Sequence, residues 1–167
     1  MRFRSLRQLT SIGTLAVLLA LPATAGGRRP RPDDGTLSVR DGRGLVQITA
    51  RGTIIGHVDF GQVQVVDRSP NDATEPVVRG GRLLERTDTT KTREGRNIRF
   101  RLTSGSYRLK VRGVGFDLAA VARGSVTLNG DERFADTGLY SLNGNEFLPV
   151  PYERTVLQLA APPPAGG

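Results

Sequence analysis

Most of this chain alternates between apolar and polar residues with a period of two, a pattern that favours strands over helices. Val46, Ile48 and Ala50 are separated by polar side chains, and successive side chains of a strand point to opposite faces. Glycine or Ser-Gly interrupts the alternation about every eight to twelve residues, as turns between short antiparallel strands do. The best short helical candidate is 117–123, where Asp117 is placed to cap one turn. The sequence therefore predicts an all-β protein.

We predict about eight to ten short antiparallel strands. A set of that size buries a core only as an antiparallel β-sandwich or a closed barrel, and the sequence leaves both open. The polar segments 69–75 and 87–96 lack alternation and are predicted to be loops. Beyond the main alternating segments, further strands are expected at 76–79, 82–85, 138–142 and 154–159.

An internal duplication is visible when two distant segments are compared. Leu37–Gly52 aligns with Ile98–Gly113, apolar positions on apolar positions and glycine on glycine. We interpret the similarity as two copies of a three-strand meander, near residues 36–67 and 97–130. Chance similarity is the alternative, because alternation alone makes any two amphipathic strands look alike.

The beginning of the chain, 1–25, has the features of a secretory signal peptide. Arginines near the start precede an apolar run from Ile12 to Leu21, and Ala23-Thr24-Ala25 forms a small-x-small cleavage site. The run is shorter than the roughly 20 apolar residues that span a membrane, which makes an uncleaved anchor the less favoured alternative. We expect cleavage after Ala25 and a secreted or extracytoplasmic protein.

The remaining chain is predicted to form one domain between two polar ends. Residues 36–159 are enough for a single core. Residues 26–35 are rich in Arg and Pro and predict a disordered basic leader, while 160–167 predict a disordered Pro/Gly tail. The chain has no cysteine, so we expect no disulfide, no zinc–thiolate site and no lipoprotein anchor.

Signatures of catalysis are sparse. His57 is the only histidine, which excludes metal sites that need two imidazoles, and there is no Gly-x-Ser-x-Gly elbow. We therefore expect no metal, no cofactor and no enzymatic activity. A hydrolase built on His57 with Asp59 nearby is the least favoured alternative.

The segment Ile98–Arg112 carries the most pronounced charge pattern. A hairpin turn on Ser104-Gly105 would place Arg101 opposite Arg108 and Arg99 opposite Lys110. Like charges directly opposite each other across two strands are destabilising. Acids on a neighbouring strand, screening by salt or a bound polyanion would each relieve that repulsion. Apolar residues occupy one face of the segment, and the opposite face carries the candidate binding residues Arg99, Arg101, Arg108, Lys110 and Arg112.

These observations favour an exported, non-enzymatic β-domain of the cell envelope or extracellular space that binds a polyanion through this basic face. The polyanion would be an acidic polysaccharide, a phosphate polymer, anionic lipid headgroups or nucleic acid. The expected signal peptide carries three of the 24 Lys and Arg and none of the 16 Asp and Glu, so the remaining chain has a moderate net charge of 21 − 16 = +5, which favours anionic partners. The alternative is a self-associating structural or surface protein whose strand edges pair with other copies.

Overall fold

The computed structural model describes residues 31–71 and 74–162. This part of the chain forms one antiparallel β-sheet of seven strands and contains no helix, so the all-β prediction is confirmed. None of its segments is a helix long and apolar enough to cross a membrane. The strands are β1 (Gly35–Asp67), β2 (Val77–Arg79), β3 (Arg82–Arg86), β4 (Thr90–Gly130), β5 (Leu139–Leu142), β6 (Leu148–Pro149) and β7 (Thr155–Leu159).

Two of these strands are far longer than the sequence predicts. β1 has 33 residues and β4 has 41 residues, and both continue through glycines that were expected to form turns, such as Gly52 and Gly113. The helical candidate 117–123 lies inside β4. The loop prediction for 87–96 is wrong beyond Thr89, because β4 begins at Thr90.

The end segments of the chain are described only in part. The signal peptide at 1–25, the first half of the basic leader at 26–30 and the end of the tail at 163–167 lie outside the described residues. The described remainder of both ends is hydrogen-bonded to itself and to the sheet. The N–H of Ala161 donates to the carbonyl of Asp33 at 3.0 Å, and the Arg123 guanidinium lies 3.0 Å from the Asp33 carboxylate.

The long strands pair with each other in two registers at once. Arg108 of β4 lies opposite Thr49 on one edge and opposite Val66 on the other edge, although these two β1 residues are far apart along the strand. A straight strand from Thr49 to Val66 would span about 56 Å, whereas strands on either side of a common neighbour are about 10 Å apart. The β1–β4 ribbon therefore winds so that each strand borders the other on both edges.

The shorter strands extend this wound ribbon. β2 and β3 pair with the first part of β4, and β7 pairs with its last part, from Gly124 to Leu128. β5 pairs with the beginning of β1, and β6 pairs with β5.

Alternation decides which side chains form the core. Ile48 of β1 lies opposite Leu109 on one edge and Val126 on the other, and all three side chains are fully buried. Tyr107 is also fully buried, and its hydroxyl donates to the Thr103 carbonyl at 3.0 Å. Side chains of the intervening positions face outward. The prediction of inward and outward positions is thus confirmed along both long strands.

A row of glycines crosses the ribbon from strand segment to strand segment. Gly44 lies opposite Gly130 on one edge and Gly113 on the other, and Gly61 lies opposite both Gly113 and Gly95. Five successive strand segments therefore place glycine at the same level. Four of these five glycines lie inside continuous strands, where the sequence predicts turns, and Gly130 is the last residue of β4.

Close backbone approach explains why this row is made of glycine. Gly61 has a φ of +156°, and a Cβ added there would collide with the carbonyl oxygen of Arg112 and lie 2.6 Å from the Cα of Gly113. No side chain fits between backbones at that separation.

The duplicated three-strand meander is not confirmed. Residues 36–67 all belong to β1, and 97–130 all belong to β4. The described pairings contain no ladder within either strand. The two copies are instead partners of each other in the ribbon.

We expect Gly61→Ala to lower the free energy of unfolding by about 2 kcal/mol or more, because the new methyl group forces the facing backbones apart. Denaturant unfolding followed by circular dichroism measures the change. The control is Gly144→Ala. Gly144 also has a positive φ, +73°, but a Cβ there would have no neighbour within 4 Å, so it should cost only about 1 kcal/mol. Equal losses in the two variants would contradict the role given to the row.

Candidate functional site

The basic hairpin predicted from the sequence does not form. Residues 98–112 belong to the single strand β4, and Ser104, at a φ of +58°, with the buried Gly105 makes a corner in it rather than a hairpin turn. Gly105 lies opposite Gly52 of β1. The expected cross-strand pairs of Arg101 with Arg108 and of Arg99 with Lys110 are therefore wrong, and the repulsion inferred from them does not arise.

Three of the five candidate residues form a continuous strip on one outward face. Arg108, Lys110 and Arg112 occupy alternate positions of β4, and all three are exposed. Their spacing along the strand is about 6.7 Å from one side chain to the next. We call these three residues the central strip.

Neutral side chains border the central strip on both sides. Each of its residues lies between two β1 residues, one on either edge of β4, and none of the six is charged. The flanking residues are Thr49 and Val66 beside Arg108, Gln47 and Gln64 beside Lys110, and Leu45 and Gln62 beside Arg112.

Two acids on the β3 side of this face are engaged with other groups. Glu94, which lies opposite Gln62, has its carboxylate 3.5 Å from the Arg82 guanidinium. The Glu85 carboxylate accepts a hydrogen bond of 3.1 Å from the Thr92 hydroxyl. Among the described residues, no carboxylate lies within the 4.0 Å of an ion pair from any member of the central strip.

A shallow depression of about 570 Å³ lies at the Arg112 end of the strip, with Lys110, Asn129, Asp131 and Arg133 also in its lining. The Arg133 guanidinium donates to Asp131 with an Nε–Oδ1 distance of 2.9 Å. These hydrogen bonds are the main reason that the pKa of Asp131 falls to about 2, and the charge of Arg112 contributes least. Asp131 is thus held mainly by Arg133, and Glu132, a second acid in the lining, is exposed.

The other two candidate residues have different neighbours. Arg99 lies opposite His57 of β1 and Arg79 of β2. Arg101 lies opposite Ile55 of β1 and Val77 of β2. The residues opposite Arg99 and Arg101 are not the residues opposite the central strip. The five predicted residues therefore form two separate groups along β4. The pairing of Arg99 with Arg79 does set like charges directly across two strands, and the sequence did not indicate it.

His57 lies beside two carboxylates. Its Nε2 atom is 3.5 Å from the Asp59 carboxylate and 3.8 Å from the Asp117 carboxylate, and its side chain is 43% exposed. A nucleophilic triad uses one ring nitrogen for the acid and the other for the hydroxyl. Here both acids approach the same nitrogen, and this geometry lends no support to the hydrolase alternative. No cluster of three His, Asp or Glu that suits a metal ion occurs among the described residues.

Sequence reasoning missed the neutral residues that flank the strip. Gln47 and Thr49 are recognisable in the sequence as outward positions, but nothing local indicates that they lie beside Lys110 and Arg108. Their proximity depends on a register between two segments that are distant in the sequence.

Comparison of the chain with protein-family models, curated proteins and solved structures finds no match. A function can therefore be inferred only from the residues of the chain itself.

We expect Asp131 to titrate near pH 2 in the native protein and Arg133→Gln to move its pKa back toward the ordinary value of 3.8. Because the folded-state pKa is lowered, the contribution of this carboxylate to stability is present above about pH 4 and is lost as the pH falls toward 2. Carboxyl chemical shifts followed by NMR measure both pKa values. An unchanged Asp131 pKa in the variant would show that Arg133 does not hold the carboxylate.

Proposed function

We propose that the protein is an exported, non-enzymatic β-domain that binds a polyanion through the central strip of Arg108, Lys110 and Arg112. The observation that carries the proposal is a line of three exposed cations with neutral neighbours on both sides. The signal-peptide features of residues 1–25 support a site of action outside the cytoplasm. We propose no cofactor and no metal for this function.

Binding of a polyanion through such a strip should depend strongly on the salt concentration. Exposed cations that pair with acids of the same protein contribute little to binding, because their charge is already balanced. Cations without such partners attract counterions, which a polyanion displaces when it binds. With three contacts, the logarithm of the affinity should fall with the logarithm of the salt concentration at a slope of about −2 to −3.

We also propose that the wound ribbon is a β-sandwich of two layers. The supporting observations are the two registers between β1 and β4, the glycine row and the single cluster of buried residues. One layer would contain 44–50, 61–67, 90–95, 107–113 and 124–130, and the other 35–39, 52–58, 98–104 and 115–122. In this arrangement the repeat near 36–67 and 97–130 is a pair of strands that each pass through both layers.

The sandwich arrangement would place the two basic groups on opposite outer faces. The central strip would lie on one layer, and Arg99 with Arg101 on the other, since β4 bends between them at Gly105.

Self-association is the second candidate function, and two edge strands favour it. Every residue of β3 is exposed, including Leu83 at 45% and Leu84 at 42%. On β7, Val156 is 56% exposed. Edge strands with free hydrogen-bonding groups and exposed apolar side chains are templates for pairing with another copy.

Replacing the strip should weaken polyanion binding more than an equal loss of charge elsewhere. The strip variant changes Arg108, Lys110 and Arg112 to Gln, and the control variant changes Arg82, Arg86 and Arg123 to Gln, each of which has a carboxylate within 4.0 Å. On immobilised dextran sulfate with a rising salt gradient, we expect the strip variant to elute well before the parent and the control variant to elute close to it.

The elution positions distinguish binding through the strip from retention by net charge and from no contribution of either set of replaced residues. Equal shifts in both variants would attribute retention to net charge alone, and coincident elution of all three proteins would contradict the proposed function. Sedimentation velocity of the parent accompanies the experiment, because concentration-dependent assembly would favour edge pairing instead. Circular dichroism checks that both variants keep the native fold.

The two-layer arrangement predicts a short distance between residues 99 and 112. The absence of native cysteine allows nitroxide labels at Arg99→Cys and Arg112→Cys. Layers about 10 Å apart with labels pointing outward predict a separation of roughly 20 Å, whereas a straight strand predicts about 43 Å. Pulsed EPR distinguishes these values, and a distance near the longer one would exclude the sandwich.

A further inference from the structure

We propose that the polyanion is an acidic polysaccharide, whose carboxylate or sulfate groups contact the central strip while its hydroxyl groups bond to the neutral side chains beside it. This inference rests on the proposed function, because it assumes that the strip binds an anion. It adds the chemical class of the ligand.

A band of uncharged hydrogen-bonding side chains crosses the strip at Lys110. Moving outward from Lys110, the cross-strand neighbours are Gln47 and then Thr127 on one side, and Gln64 on the other. The band ends at Gln64, because the next neighbour, Thr92, is buried and its hydroxyl donates to Glu85. Directly opposed side chains on one face have Cβ atoms about 5 Å apart. The band is therefore continuous and polar, and Lys110 carries its only charge.

The band matches the chemistry of sugars better than that of a simple phosphate polymer. A carboxamide or a hydroxyl both donates and accepts hydrogen bonds, as the hydroxyl groups of a sugar do. Inorganic polyphosphate offers acceptors and charge but no donors of its own. The two glutamines beside the central lysine can donate to phosphate oxygens through their NH2 groups, but their carbonyl oxygens find no donor on such a chain. A hydroxylated chain offers donors as well as acceptors and so engages both ends of each carboxamide.

The lack of aromatic side chains in the strip and the band argues against single-stranded nucleic acid as the ligand. Proteins that bind it stack successive bases on aromatic side chains. None of the residues in the strip or in the band is aromatic. The exposed Phe60 lies opposite Arg96 and Val114, outside both. The lack of aromatic side chains also argues against neutral sugars, whose binding depends on aromatic stacking. Acidic sugars do not need such stacking, because the three cations of the strip attract them.

The test measures the affinity of the purified protein for three probes at one salt concentration: polygalacturonate, inorganic polyphosphate and poly(dT). The band variant is Gln47→Ala with Gln64→Ala, and the matched control is Gln158→Ala, an exposed glutamine of β7 opposite Ser125 at the edge of the same face. We expect the band variant to lose roughly tenfold in affinity for polygalacturonate and about threefold or less for polyphosphate, which accepts from the NH2 groups but cannot donate to the carbonyl oxygens. The control should match the parent, and thermal unfolding verifies that each variant is folded.

The strip variant keeps the two proposals distinguishable. If it loses affinity for all three probes while the band variant weakens all of them equally or none, the strip binds anions but the polysaccharide inference is overturned. Tighter binding of polyphosphate or poly(dT) than of polygalacturonate by the parent would overturn it as well. If the strip variant binds every probe as the parent does, the proposed function itself fails.

Discussion

β1 and β4 pair with each other along both of their edges, and the glycine row, the core and the outward face all follow from this double pairing. An unpaired backbone group that is buried costs as much as a lost hydrogen bond, and the wound ribbon satisfies both edges of the two strands. Winding requires the strands to bend without breaking the ladder. The glycine row meets that requirement, because at Gly61 a side chain would collide with the facing backbone.

The same winding determines the composition of the outward face. It brings segments of β1 that are far apart along the strand to the two sides of one β4 segment. The central strip thereby acquires neutral cross-strand neighbours on both sides. Asp131 and Glu132 line the depression at its Arg112 end, where Asp131 is held by Arg133. A line of unbalanced charge inside a polar surface is the result, and the functional proposals follow from it.

Local sequence signals predicted the short strands well and the bounds of the long strands poorly. The predicted strands at 76–79, 138–142 and 154–159 each begin one residue before the observed strand and end with it, because alternation and turn residues are local properties. The prediction of turns at the glycines inside β1 and β4 was wrong because it, too, used only local sequence. The local signal of glycine is identical in a hairpin turn and in a corner within a strand, and only distant pairing distinguishes the two. The polar start of β4 was missed because it pairs near the margin of the sheet, where alternation is weak.

Alternation along the chain was enough to establish that the protein is all β and which side of each long strand a residue occupies. Arg99, Arg101, Arg108, Lys110 and Arg112 are all exposed, as alternation predicts. Which of them are neighbours became clear only from the folded arrangement, which separates Arg99 and Arg101 from the other three. The facing of a side chain follows from a two-residue period within one strand, whereas its neighbours follow from a register selected by the packing of whole strands.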